Sequence, residues 1–131
     1  MNAPNLSPVL VIDLQLDDLL VLQTLLRQLH YPSVVACTAH QALRYAQYLS
    51  PSLMILANQT PQWTESYLQR LRTITGHQHA TLLLLGDQHD PHWLPMEDNP
   101  GLDGFLVKPL SYDVLASVME STLAKQVYQL A

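Results

Sequence analysis

Gly104-Phe105-Leu106-Val107-Lys108-Pro109-Leu110 is the stretch on which the reading of this chain turns. A short apolar run closed by Lys-Pro and followed by a helix-start signal at Ser111 has the pattern of a buried strand in a parallel sheet. It delivers one ammonium group, Lys108, to the rim of that sheet. A lysine in such a place ordinarily meets an anion. Yet the strand expected to supply a carboxylate opposite it, Leu53-Met54-Ile55-Leu56, runs into Ala57. The chain carries the frame of a phosphate-handling site without the group that would accept the phosphate.

Outward from this stretch, strand and helix patterns alternate along the whole chain. Residues 9–12 form a short apolar strand between Pro8 and Asp13. Leu19, Leu20, Leu22, Leu25, Leu26 and Leu29 recur at helical spacing, which predicts a helix over 17–29. Asp17 and Asp18 favour its positive end, and His30 lies at its negative end. Strands are expected at 34–37, 53–56, 81–85 and 105–107, with helices at 41–49, 64–73 and 112–123, the last capped by Ser111. Between Asp87 and Gly101, Pro91, Pro95 and Pro100 each remove a donor and clash with the preceding turn. The helix due there is expected to be degraded or missing, leaving a loop with at most a short turn.

Alternation of this kind, with continuous apolar strands, implies one α/β domain built on a doubly wound parallel sheet with helices on both faces. In such sheets the functional crevice lies at the carboxyl ends of the strands, where Asp13, Ala57, Leu85 and Lys108 fall. Residues 1–8, with Pro4 and Pro8, read as a linker, 9–125 as the domain and 126–131 as a tail.

Composition narrows the function classes. The 131 residues are 48% hydrophobic, enough for a core without disulfides. Cys37 is the only cysteine, so no internal bridge is possible and a cytoplasmic, reducing setting is expected. No apolar run approaches the roughly 18 residues of a transmembrane helix, and no signal-peptide pattern opens the chain. Net charge is −5, and the six Lys and Arg form no basic stripe. Nucleic-acid binding is therefore not expected.

Five blocks in order carry a family resemblance: Val9-Leu10-Val11-Ile12-Asp13, Leu29-His30-Tyr31, Gln41-Ala42-Leu43, Pro51-Ser52-Leu53-Met54-Ile55-Leu56 and Val107-Lys108-Pro109. At this spacing the chain resembles the receiver domain of two-component response regulators over nearly its whole length. The resemblance implies a five-stranded, flavodoxin-like or CheY-like sheet of strand order 2-1-3-4-5. In that family two adjacent acids after the first strand bind Mg²⁺, and an aspartate after the third accepts phosphate. A Thr or Ser after the fourth strand and a Lys after the fifth contact the phosphate. Carried over, Asp13 is the first acid and Lys108 the lysine, but Leu14 replaces the second acid, Ala57 the acceptor and Leu85 the hydroxyl. Alanine has no nucleophilic oxygen, and leucine cannot ligate a hard cation. The chain thus looks like a degenerate pseudo-receiver. With Ala57, Leu85-Gly86 and Lys108-Pro109-Leu110 it is similar to the pseudo-receiver domain of cyanobacterial circadian input kinases. That likeness implies the clock protein KaiB or the parent kinase's own domains as partners, and a quinone as a possible ligand. There are no kinase motifs, so the chain would be an excised domain or a stand-alone relative.

Each candidate residue also has a plainer reading. Asp13 and Lys108 could keep a residual anion or metal pocket, or simply pair with each other at the rim. Asn58 and Gln59 could supply a carboxylate's acceptor capacity, or be loop filler. His77, His79, His89 and His92, with Asp87, are ligand types that Zn²⁺ accepts, but their spacing matches no metal motif. No metal or cofactor is expected, and no catalytic arrangement is present. Cys37 reads most simply as a small core residue. Trp63 and Trp93 could cap a core edge or anchor an interface.

The second strand is the more promising feature. The fold places it at a sheet edge, and from Gln28 to Leu43 there is no Asp, Glu, Lys or Arg. Edges are normally blunted by charge because their unpaired backbone groups recruit other strands. Ser33, Val34, Val35, Ala36, Cys37 and Thr38 are therefore the candidate partner-binding edge. The alternative is a strand shielded by neighbouring loops or parent domains. Three functions follow: a phosphorylation-independent interaction domain, a small-molecule (quinone) sensor around Trp93, or a receiver using an unusual acceptor such as Asp87 or Asp17.

Overall fold

Apolar runs without polar alternation form strands buried on both faces, as the three central ones do here, while the two outer strands are mostly half-buried. The structure, a computed structural model, describes residues 8–14, 19–58, 60–75, 80–87 and 101–130. The strands are β1 (Val9–Ile12), β2 (Ser33–Ala36), β3 (Leu53–Ala57), β4 (Thr81–Gly86) and β5 (Gly104–Val107). The described helices are α1 (Leu19–Gln28), α2 (Ala39–Leu49), α3 (Glu65–Ile74) and α4 (Tyr112–Leu130). All strand pairings are parallel, in the order β2-β1-β3-β4-β5, as expected. The degraded helix expected between β4 and β5 falls on residues 88–100, outside the described residues.

Side-chain alternation splits the core into two layers. Leu10 and Ile12, Met54 and Leu56, and Leu82 and Leu84 turn to one face, where Ala42 and Ala46 of α2 and Leu68 and Leu71 of α3 cover them. Val9 and Val11, Leu53 and Ile55, and Leu83 and Leu85 turn to the other, under Leu22 and Leu26 of α1 and Leu115 and Met119 of α4. One residue of register thus decides which helices a side chain meets.

Local chemistry sets the helix ends. Thr38 and Thr64 cap α2 and α3 by accepting from the Gln41 and Tyr67 amides at 3.0 and 3.1 Å. Ser111 accepts from the Val114 amide at 3.2 Å, the cap expected for the last helix. α4 runs to Leu130, beyond the predicted end at residue 123, and takes in most of the residues read as a tail. Its second half, Ala124-Lys125-Gln126-Val127-Tyr128-Gln129-Leu130, has no Gly or Pro to stop it. No described helix is long and apolar enough to cross a membrane.

Candidate functional site

The carboxyl ends of the strands bring together the residues that the sequence singled out. Asp13 follows β1, is buried, and its amide donates to Ala36 O at 3.0 Å. Leu14, half-buried, packs on the α2 and α3 core layer, where a second metal-binding acid would have needed water and a cation. Ala57 ends β3 and lies directly beside Leu85 of β4, and both are buried. Two neighbouring positions at the heart of the rim are therefore apolar. Neither side chain holds an oxygen that could take or contact a phosphoryl group.

Lys108 follows β5, half-buried, with its amide donating to Gly86 O at 3.0 Å. Its ammonium donates to Asn58 Oδ1. Of the two readings of Asn58, a carboxylate-like acceptor or loop filler, the contact fits the first, since its side-chain oxygen accepts from the rim lysine. It adopts φ 71°, a left-handed conformation that Asn tolerates better than most side chains. Its amide donates to Leu85 O at 2.6 Å, and its carbonyl accepts from Trp63 Nε1 at 2.8 Å. Trp63 is buried and stacks on Tyr67 with ring centroids 5.4 Å apart, so it caps a core edge. One asparagine ties β3, β4, β5 and the approach to α3 together. Beside it, Val21, Leu85, Asp87, Lys108, Pro109 and Leu110 line a cavity of about 370 Å³.

The candidate edge, residues 33–38, is a strand only in part. β2 is an edge strand, but it stops at Ala36. Cys37 and Thr38 belong to the entry of α2: the Cys37 amide donates to Gln41 Oε1 at 2.8 Å while Thr38 caps the helix. Cys37 is exposed, which corrects its reading as a core residue. Ala36, by contrast, is fully buried. Val9 N donates to Pro32 O at 2.9 Å and Asp13 N to Ala36 O at 3.0 Å. In a parallel ladder this register turns the backbone groups of Val34 and Ala36 towards β1 and those of Ser33 and Val35 away from the sheet. Among the described residues no strand lies beyond them.

His77, His79, His89, His92, Trp93, Asp17 and Gln59 lie outside the described residues. Among the described residues no cluster of His, Cys, Asp or Glu could hold a metal ion.

No family model matches the chain, and no curated protein does. Solved structures with this fold do. A response regulator receiver domain protein from Clostridium thermocellum aligns with 95% of this chain and 99% of its own, at 20% identity and a TM-score of 0.76. A putative response regulator from Chloroflexus aurantiacus aligns over 92% and 99%, at 21% identity and 0.76. The receiver domain of a Pseudomonas aeruginosa sensor histidine kinase, solved with a magnesium ion in its active-site cleft, aligns over 91% and 98%, at 16% identity and 0.74. The chain has the fold of CheY-like receiver domains.

Proposed function

We propose that this domain works in signal transduction as a protein-interaction module that needs no phosphorylation, having kept the receiver frame without its phosphoryl chemistry. The observation that carries this reading is Ala57 lying beside Leu85, with the rim lysine held by Asn58. A ligand shifts a conformational equilibrium only through differential binding to two states, and Ala57, at the family's acceptor position, offers a phosphoryl group no oxygen. No catalytic step is assigned to the chain.

The partner adds a strand along β2, through the outward amides and carbonyls of Ser33 and Val35. The histidine-kinase setting of one structural neighbour suits a parent kinase as the domain's context. Similarity to circadian input kinases names KaiB as the first partner to try. Two measurements test the reading. Incubation with acetyl phosphate and Mg²⁺ leaves the intact mass unchanged; a stoichiometric adduct, on Asp87 or any other residue, would sink it. In an NMR titration with KaiB, shifts fall on Ser33 to Ala36 and are lost in Val35→Pro, whose missing N–H faces outward and leaves the β1 ladder whole. Shifts confined to Tyr112 to Met119 would place the interface on α4 instead.

A second reading draws on the cavity beside Lys108, whose size of about 370 Å³ suits a small, largely apolar molecule such as a quinone. Titration with a water-soluble quinone should then move the Leu85 and Leu110 resonances saturably. A flat titration removes it.

A further inference from the structure

Strand addition leaves open what the incoming strand looks like, and the surroundings of β2 supply an answer. Between Leu19 and Thr64 the chain has no Asp or Glu, although it carries Arg27, His30, His40 and Arg44. All eleven acids of a chain with net charge −5 lie outside that interval. The fold gathers the interval into α1, β2, α2 and β3, with β2 outermost. On the α2 side the edge opens onto a groove of about 350 Å³ lined by Val34, Arg44, Tyr45, Tyr48 and Leu49. Arg44 is the one charged group in that lining, and Tyr48 is 88% exposed. An added strand would send every second side chain towards the α2 face, the side to which Val34 and Ala36 of β2 also turn. Glu120 does act on this half of the molecule, since it helps raise the Tyr31 pKa after the larger effect of burial. Tyr31, however, packs in the α1 and α4 layer, on the far face of the sheet from the groove.

We infer that β2 and the α2 groove together receive an extended, acidic segment of a partner protein. Its groove-facing positions carry apolar or aromatic side chains that fill the space between Val34 and Tyr48, and a carboxylate reaches Arg44. This rests on strand addition at β2 and adds the chemistry of the strand that pairs there. A second copy of the chain is a poor occupant, because pairing two β2 edges would bring two acid-free, cationic surfaces together.

The test is a phage-displayed library of random nonapeptides, selected on the full chain, with the winning peptide then synthesised and titrated by NMR. The inference expects alternating apolar residues with Asp or Glu between them. Amide shifts should fall at Ser33 to Ala36, Arg44 and Tyr48. Arg44→Glu should weaken the peptide at least tenfold and Tyr48→Ala severalfold, with thermal unfolding unchanged because both side chains are exposed. Peptides that bind along β2 but are basic or uncharged, and indifferent to Arg44→Glu, overturn the inference and leave strand addition standing. Shifts on α4 or at the Lys108 rim overturn both, and so does a library that yields no binder.

Discussion

β5 has Asp103 immediately before it and Lys108 immediately after it, whereas β2 is entered from Pro32 and left through Thr38 with no charge between. Both are edge strands of one sheet. At the start of β5, Asp103 Oδ2 accepts from Arg72 Nη2 at 2.9 Å and from the Leu82 amide at 2.7 Å, while Arg72 also donates to Gly101 O at 2.9 Å. That clamp joins α3, β4 and the entry to β5. At its end Lys108 is drawn in by Asn58. Charge thus fastens β5 at both ends and blunts it in the way natural edges are blunted. β2 is fastened through buried Ala36, its half-buried valines and the neutral Thr38–Gln41 cap, and its outer face stays open to pairing. The difference teaches that the two edges are stabilised by different physics, so they should fail differently.

The largest effect comes from placing a charge inside β2. Ala36→Arg forces a guanidinium into a fully buried site and should abolish cooperative thermal unfolding by circular dichroism, a loss above about 4 kcal/mol. Val107→Arg, on the exposed flank of β5, should stay within about 0.5 kcal/mol of the parent. Equal costs at the two edges would break the comparison.

Asp103→Ala should cost about 1–3 kcal/mol in urea denaturation, because it leaves the Leu82 amide and Arg72 without their carboxylate. A loss below about 0.5 kcal/mol would mean that the clamp does not hold β5.

On the β2 side, the Tyr67 hydroxyl donates to Ala39 O at 2.6 Å, tying α3 to the first residue of α2. Burial pushes its pKa from 10.0 up to about 12. A raised phenol pKa favours the folded, neutral form: its contribution is complete below pH 10 and is lost as pH rises towards 12. Tyr67→Phe should cost about 1 kcal/mol at neutral pH. It should also flatten the fall of the urea midpoint over that alkaline window. A parallel decline in both proteins would remove Tyr67 as the cause.

The smallest effect is expected at the rim. Lys108→Met removes the partly buried hydrogen bond to Asn58, worth about 1 kcal/mol, and should leave binding along β2 unchanged. Lost partner affinity in a folded Lys108→Met variant would join the rim to the edge as one site.

The sheet was legible because its strands are uninterrupted apolar runs, and the order followed from alternation plus the family resemblance. The proposed loss of receiver chemistry rests on residue types alone: Leu14, Ala57 and Leu85 lack the oxygens that Asp and Thr carry at those positions in the family the chain resembles. The partner of Lys108 was harder, since it depends on a left-handed turn at Asn58 that brings a side chain back over the sheet. An Asn directly after a strand was the available signal. The end of β2 was also readable. Thr38-Ala39-His40-Gln41 matches the capping-box pattern, which starts the helix at Ala39 and takes Cys37 out of the strand. Gly101 could not be read in this way: a Cβ there would stand 2.9 Å from Leu68 Cβ, a long-range approach of loop and α3 that leaves no local mark.

The acid-free stretch from Leu19 to Thr64 also acts before any contact forms. A molecule of net charge −5 whose acids all lie outside residues 19–64 has an uneven field, and an acidic partner diffusing past it is turned towards that stretch although the molecule as a whole repels it. Encounters would then be biased towards the β2 side, raising the association rate more than the lifetime of the complex. Added salt should then change the association rate while leaving dissociation nearly constant. In the proposed mode of binding, the open edge would determine what can pair, and the uneven charge how often a partner arrives facing it.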